Sequence, residues 1–236
     1  AEKKENRIMK KILVGCPTSD YHEYALKEYA EAVKNLTYKD YDILLVDNSK
    51  DDSYLKKLKV AELPVVKGPW HEEAKERIVN SRNILRQKVI DDNYDYFLSL
   101  EQDVIPPEDF IEKILRHKKR VVTGIYFNYI TGKEGIELAP VVWSKVNMEK
   151  EERFFLRPDQ LNKGLLKIAV SGLGCVLIHR SVLEKIKFRY EKQYPAFDDI
   201  FFGLDCKDNN IGVYADTSIT CKHLIKNRPW SWKNLK

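Results

Sequence analysis

Apolar residues in this chain come as short runs divided by stretches with a helical repeat. Runs of strand length stand at 11–16, 41–46, 64–67, 96–104 and 120–127. Between them Ala25, Tyr29, Ala32, Val33 and Leu36, then Leu55 and Leu58, then Ile78, Val79, Ile84, Leu85 and Val89 recur at the spacing of one helix face. The pattern predicts a first strand closed by Pro17, a helix capped by Asp20, a short helix around Leu55, a long helix over 72–90 and a helix over 108–117 begun by Pro107. Strand and helix in regular alternation argue for an α/β fold, a mostly parallel sheet with helices on both faces. After Tyr129 the pattern loosens. Strands are expected at 136–143, 165–170, 174–179, 211–216 and 219–224, and helices at 180–186 and 198–206. The polar, aperiodic stretch 144–164 reads as a mobile loop.

The run that begins at Tyr96 ends in Pro106-Pro107, which cannot extend a ladder, so its strand is expected to stop near Val104. Glu101 and Asp103 stand just before that stop. Residues two apart in a strand face the same way. Both carboxylates are therefore expected on one face at the C-terminal end of a central strand, where open α/β sheets bind ligands. Two such charges repel unless a cation lies between them, and a hard divalent ion with oxygen ligands suits the pair. A solvated acidic loop is the plainer alternative.

Four further positions bear on that edge of the sheet. Asp47 ends the second strand, where a carboxylate suits a base N–H or a ribose hydroxyl; Asp47-Asn48-Ser49 equally suits a turn that caps the next helix. Arg82 lies in the long helix and is able to stack on or bond a base or diphosphate, or simply to face solvent. Asp198 and Asp199 follow Tyr194-Pro195-Ala196-Phe197 and open a helix, where the dipole favours acids; one of them also suits a general base at the crevice. His223, beside the last strand, would complete a carboxylate site of the kind manganese accepts, although a lone histidine is commonly structural.

Composition narrows the classes. Of 236 residues, 43% are hydrophobic and 33% charged, as in a soluble globular chain. A net charge of +5 suits an anionic small molecule or an acidic surface, not nucleic acid, which calls for a denser basic stripe. The longest nearly apolar run, 168–178, is too short to span a bilayer, and Ile12-Leu13-Val14 is too short for a signal peptide. The four cysteines form no Cys-x-x-Cys pair and read as free thiols in a reducing cytoplasm. Met9 looks like an original start, which makes residues 1–8 an extension without fold content.

In order, the chain presents Asp47-Asn48-Ser49 at a strand end, Ser81-Arg82-Asn83 on a helix, Glu101-Gln102-Asp103, the run from Gly172 to Arg180 (Gly-Leu-Gly-Cys-Val-Leu-Ile-His-Arg), Asp198-Asp199-Ile200-Phe201-Phe202, and Lys222-His223-Leu224. That series resembles the GT-A glycosyltransferases, particularly the family 2-like group, from Ile12 to about Leu224. The resemblance implies one GT-A domain over 9–236, with a nucleotide-binding half at about 9–127, an acceptor half at about 128–224 and a basic tail at 225–236. It implies that Asp47, Arg82 and Thr18 hold the nucleotide. It places Asp103 on a Mn2+ or Mg2+ ion that bridges the donor diphosphate, with His223 as a further ligand. Glu101, where the family has Asp, contacts ribose or metal. Asp199 matches the catalytic base of inverting members, with Asp198 beside it. The implied activity is transfer of a sugar from a UDP- or GDP-sugar to an acceptor hydroxyl on a saccharide, lipid-linked or protein partner. A nucleotidyltransferase would want a glycine-rich basic loop where Gly15-Cys16-Pro17-Thr18-Ser19-Asp20 stands. A non-catalytic nucleotide-sugar binder is the other alternative. Arg228, Trp230 and Trp232 in the basic tail suit a flap over the donor, a frayed terminus, or a contact with the inner face of an anionic membrane.

Overall fold

The strand–helix alternation read from the first half is present in the computed structural model, which describes residues 9–132, 135–150 and 152–227. Strands β1 (Ile12–Thr18), β2 (Tyr41–Asp47), β3 (Val65–Lys67) and β4 (Tyr96–Leu100) are joined through helices α1 (Leu26–Lys34), α2 (Ser53–Val60) and α3 (Ala74–Asp91). A two-residue strand β5 (Val104–Ile105), helix α4 (Phe110–Leu115) and strand β6 (Val121–Ile125) follow. The second half adds β7 (Phe127–Gly132), β8 (Gly135–Pro140), β9 (Val142–Asn147), β10 (Glu152–Phe155), β11 (Leu165–Ile168), β12 (Val170–Ser171), β13 (Cys175–His179), β14 (Val213–Thr220) and β15 (Lys222–His223), with helices α5 (Arg180–Leu183) and α6 (Asp198–Asp208).

One eight-stranded sheet, in the order β11-β14-β6-β13-β4-β1-β2-β3, carries the fold. Its members run parallel except β13, which is antiparallel to both β4 and β6, and β11, antiparallel to β14. Alternation along β1 splits the core between the two faces. Ile12, Val14 and Cys16 pack with Tyr29 and Val33 of α1, while Leu13 packs with Leu85 and Val89 of α3.

The structure corrects several expectations. Pro17 does not close β1; it sits inside the strand, in register with Val46, because pairing with β4 has already ended at Gly15 opposite Ser99. Asp20 does not cap α1: a 3-10 turn over Asp20–Ala25 comes first, and the Asp20 N–H donates to the Ser49 hydroxyl. The strand at Tyr96 stops at Leu100, not near Val104, and the Val104 N–H closes a turn on the Glu101 carbonyl at 2.9 Å. Glu101 and Asp103 are therefore turn residues and not strand neighbours on one face. The stretch 144–164 is not one loop: β9 and β10 form an antiparallel hairpin, and Trp143 and Phe155 pack ring against ring at 5.4 Å. One face of that hairpin is in solvent, with Lys145 and Phe154 exposed, which made its sequence look aperiodic. The expected pair of strands at 211–216 and 219–224 is the single β14, whose register against β6 shifts between Ala215 and Thr220, followed by β15. β15 pairs antiparallel with β5, setting His223 opposite Val104 and hence beside Asp103.

Candidate active site

Arg82 is the hub of the site. The third turn of α3 carries it over the end of β4, where it is 2% exposed. Its Nε donates to Asp198 Oδ2 at 2.8 Å, Nη1 to Ser99 Oγ at 2.6 Å and Nη2 to Glu101 Oε1 at 3.0 Å. Ser99 passes the chain on by donating to the Leu173 carbonyl at 2.7 Å. One guanidinium thus ties together α3, the end of β4, the 101–104 turn and the start of α6. Arg82, expected to meet a base or diphosphate, makes these three protein bonds and also lines the cleft. Its neighbour Asn83 exchanges two hydrogen bonds with the Phe188 backbone.

Asp198 and Asp199 open α6 as expected, and their surroundings differ. Asp198 is buried and paired with Arg82. Asp199 lines the cleft and, among the described residues, accepts only the Ile200 N–H, at 2.8 Å. Burial pushes the Asp199 carboxyl up to about 7, the Asp198 charge adds to the rise, and the Ile200 hydrogen bond opposes both. Glu101 is raised too, by burial first and against the pull of Arg82, with the Asp103 and Asp198 charges pushing the same way as burial.

Asp103 faces two imidazoles. His223 Nε2 is 3.4 Å and His22 Nε2 3.9 Å from Asp103 Oδ2, and the Tyr24 hydroxyl reaches the same oxygen at 3.2 Å. Burial by itself would raise the Asp103 carboxyl, but the His223 bond and charge outweigh it and hold the group below its ordinary value. The same pair lifts His223 above the usual imidazole range against the effect of its burial. His223 Nδ1 lies 2.7 Å from the Phe127 carbonyl, so this nitrogen carries a proton and Nε2 is the one turned to Asp103. Among the described residues no set of three or more His, Cys, Asp or Glu side chains is arranged to hold a metal ion.

The remaining expected residues divide. Thr18, at the end of β1, is buried and donates to Gln102 Oε1, whose amide in turn reaches the Tyr54 hydroxyl and the His22 carbonyl. Asp47 is wholly buried: Oδ1 accepts from the Ser49 N–H at 3.0 Å and hydroxyl at 2.6 Å, and Oδ2 from Lys67 Nζ at 3.0 Å. That is the turn arrangement, and the neighbouring Asn48, not Asp47, lines the cleft.

The cleft has a volume of about 510 Å3. Thr18, Arg82, Glu101, Asp198 and Asp199 line it together; Asp103 and His223 stand outside its lining, linked to it through His22. Sequence reasoning missed Ser99, Gln102, His22, Tyr24 and Tyr126. Only Gln102 carried a signal, as the middle residue of an acidic-x-acidic run. Tyr126 explains the glycines of Gly172-Leu173-Gly174: a Cβ on Gly174 would lie 2.7 Å from its ring, and one on Gly172 would strike its hydroxyl. Arg228, Trp230 and Trp232 lie outside the described residues. No helix among those described is long and apolar enough to cross a membrane.

A mostly parallel sheet flanked by helices, with acids gathered beyond its strand ends, is the GT-A fold. The chain belongs to glycosyl transferase family 2, whose model matches residues 17–187. Among solved structures it is similar to GalNAc-T7 with UDP, GalNAc and Mn2+, at 13% identity and a TM-score of 0.67, covering 96% of this chain and 46% of that one. It is also similar to A197 from STIV, at 18% identity and a TM-score of 0.51, covering 94% of this chain and 89% of that one. No curated protein matches it.

Proposed function

We propose that this protein moves a sugar from a UDP- or GDP-linked donor to an acceptor hydroxyl, with inversion at the anomeric carbon and a divalent metal at the diphosphate. The observation that carries the proposal is Asp199, a cleft-facing carboxyl with a pKa of about 7, beside a neighbour committed to Arg82. A base near the working pH is the one best matched to taking a hydroxyl proton. In this reading Asp199 takes the acceptor's proton. The acceptor oxygen bonds to the anomeric carbon as that carbon's bond to the diphosphate oxygen breaks. The nucleoside diphosphate leaves with the electron pair.

Asp103 and His223 fit a metal. Asp103 is kept ionised, and the Phe127 bond leaves His223 Nε2 turned to it. Mn2+ or Mg2+ held there would neutralise charge on the leaving diphosphate; the similar structure of GalNAc-T7 with UDP, GalNAc and Mn2+ supports this reading. Thr18, Asn48 and Glu101 line the donor side, and Asp47 acts by fixing the turn that presents Asn48. The division into a donor half up to about 127 and an acceptor half beyond it follows the same lines.

Calorimetry of UDP and GDP, with Mn2+ and with a chelator, tests the donor and metal parts. Tighter binding with metal, lost in Asp103→Ala, is expected; equal affinity under both conditions overturns the metal. Asp199→Asn should keep nucleotide binding and lower kcat by about 10²–10⁴-fold. Near-normal turnover in that variant overturns the base, and a product that retains the donor's anomeric configuration by NMR overturns inversion.

A further inference from the structure

Phe197 is badly placed for stability. It holds the N-cap position of α6, where Ser, Thr, Asp and Asn are favoured, and it gives the helix no side-chain cap bond. The residue is 45% exposed. A single exposed aromatic says little by itself. This one lines the cleft, two residues before Asp199, on the same helix start. It is also held in place: Lys75 Nζ bonds the Tyr194 carbonyl at 2.9 Å and stands 5.6 Å from the Phe197 ring centroid, tying the segment to α3. An exposed ring at a helix start, beside the proposed base and in the cleft lining, is a surface on which a ligand can lie.

We infer that Phe197 is the platform on which the acceptor lies, and that the acceptor is a saccharide whose pyranose C–H face stacks on the ring. The inference rests on the proposed role of Asp199. A hydroxyl that gives its proton to Asp199 belongs to a molecule lying against the first turn of α6, where Phe197 is the exposed apolar surface. A sugar ring has the matching form: a flat patch of C–H groups to cover the ring and a rim of hydroxyls, one of which reaches the base. A peptide hydroxyl brings no such face.

The test uses the whole chain, a UDP- or GDP-sugar with Mn2+, and methyl glycosides of glucose, galactose, mannose and N-acetylglucosamine as acceptor probes. Transfer to at least one glycoside is expected. Phe197→Ser should raise that glycoside's KM by about tenfold or more while leaving donor KM and UDP or GDP affinity within about twofold, as loss of one stacked ring does. Because Ser suits the N-cap, the variant should melt no lower than the parent, which separates lost stacking from lost folding. Phe197→Tyr should restore the KM. The inference is overturned if Phe197→Ser leaves glycoside KM unchanged, if it weakens donor and glycoside alike, or if only peptide or lipid alcohols accept the sugar. Failure of the parent protein to bind either nucleotide would overturn the donor reading itself, and this one with it.

Discussion

At the scale of single residues, two adjacent aspartates at one helix start have different lives. Asp198 is neutralised by Arg82, while Asp199 is desolvated and repelled by Asp198. The sign of the consequence follows from linkage. Between the ordinary carboxyl value of 3.8 and about 7, the folded state holds a proton on Asp199 that the unfolded chain has released, so stability falls as pH rises through that window. Asp199→Asn should accordingly be more stable than the parent above pH 7, by about 1–3 kcal/mol in chemical denaturation, and indistinguishable from it near pH 3. Catalysis should run the other way. Log kcat should climb with pH and level off above about 7, as the base form fills. A flat profile from pH 5 to 8 would remove Asp199 from the proton transfer. Asp47 makes the opposite case. With three donors converging on its buried carboxylate, Asp47→Ala should cost about 2–4 kcal/mol of stability in urea unfolding, by removing the acceptor of the Ser49 N–H and hydroxyl and one of the partners of Lys67.

At the scale of elements, the site is a junction held by Arg82. Breaking a buried ion pair by removing one partner costs more than the pair contributes, because the remaining charge is stranded. Arg82→Met strands Asp198 and Glu101 and leaves Ser99 without one of its two partners. It should lower stability by about 3–5 kcal/mol in denaturant titration and lose nucleotide binding together with the fold. A variant that unfolds normally but has lost nucleotide affinity would return Arg82 to the role of a direct ligand. The strand after Gly172 is fixed by fit: Gly174→Ala places a methyl against the buried Tyr126 ring and should cost about 1–3 kcal/mol by the same measurement.

At the scale of the molecule, the proposed function depends on segments far apart in the chain meeting past the strand ends. The 3-10 turn after β1 brings His22 and Tyr24, the 101–104 turn brings Asp103, and the β5–β15 pairing brings His223. Ligand that binds only the folded state raises apparent stability by mass action. In thermal unfolding, UDP or GDP at about 100-fold over Kd with Mn2+ should add about 2.7 kcal/mol. Asp103→Ala and His223→Ala should each lose most of that gain. A gain of equal size without metal would separate nucleotide binding from the Asp103–His223 pair.

The sequence by itself determined the layers. A period of two in the strands and near four in the helices sets which side chains point to which face, and these are local geometric facts. They placed β1, β2, β4 and α3 within a few residues, and with them the sheet edge where Thr18, Arg82, Glu101 and Asp199 gather. Local pattern reported a break less well where the chain turns without losing its polarity. Glu101-Gln102-Asp103 kept a strand's alternation while folding as a turn, and the β9–β10 hairpin lost its alternation while folding as strands. Tertiary structure alone decided which charges meet. Arg82 and Asp198 are far apart in the chain, as are Asp103 and His223, yet each pair lies within reach in the fold. Which carboxylate is neutralised and which is left to titrate depends on burial and on the nearest opposite charge. Both are properties of packing, and no spacing along the chain encodes them.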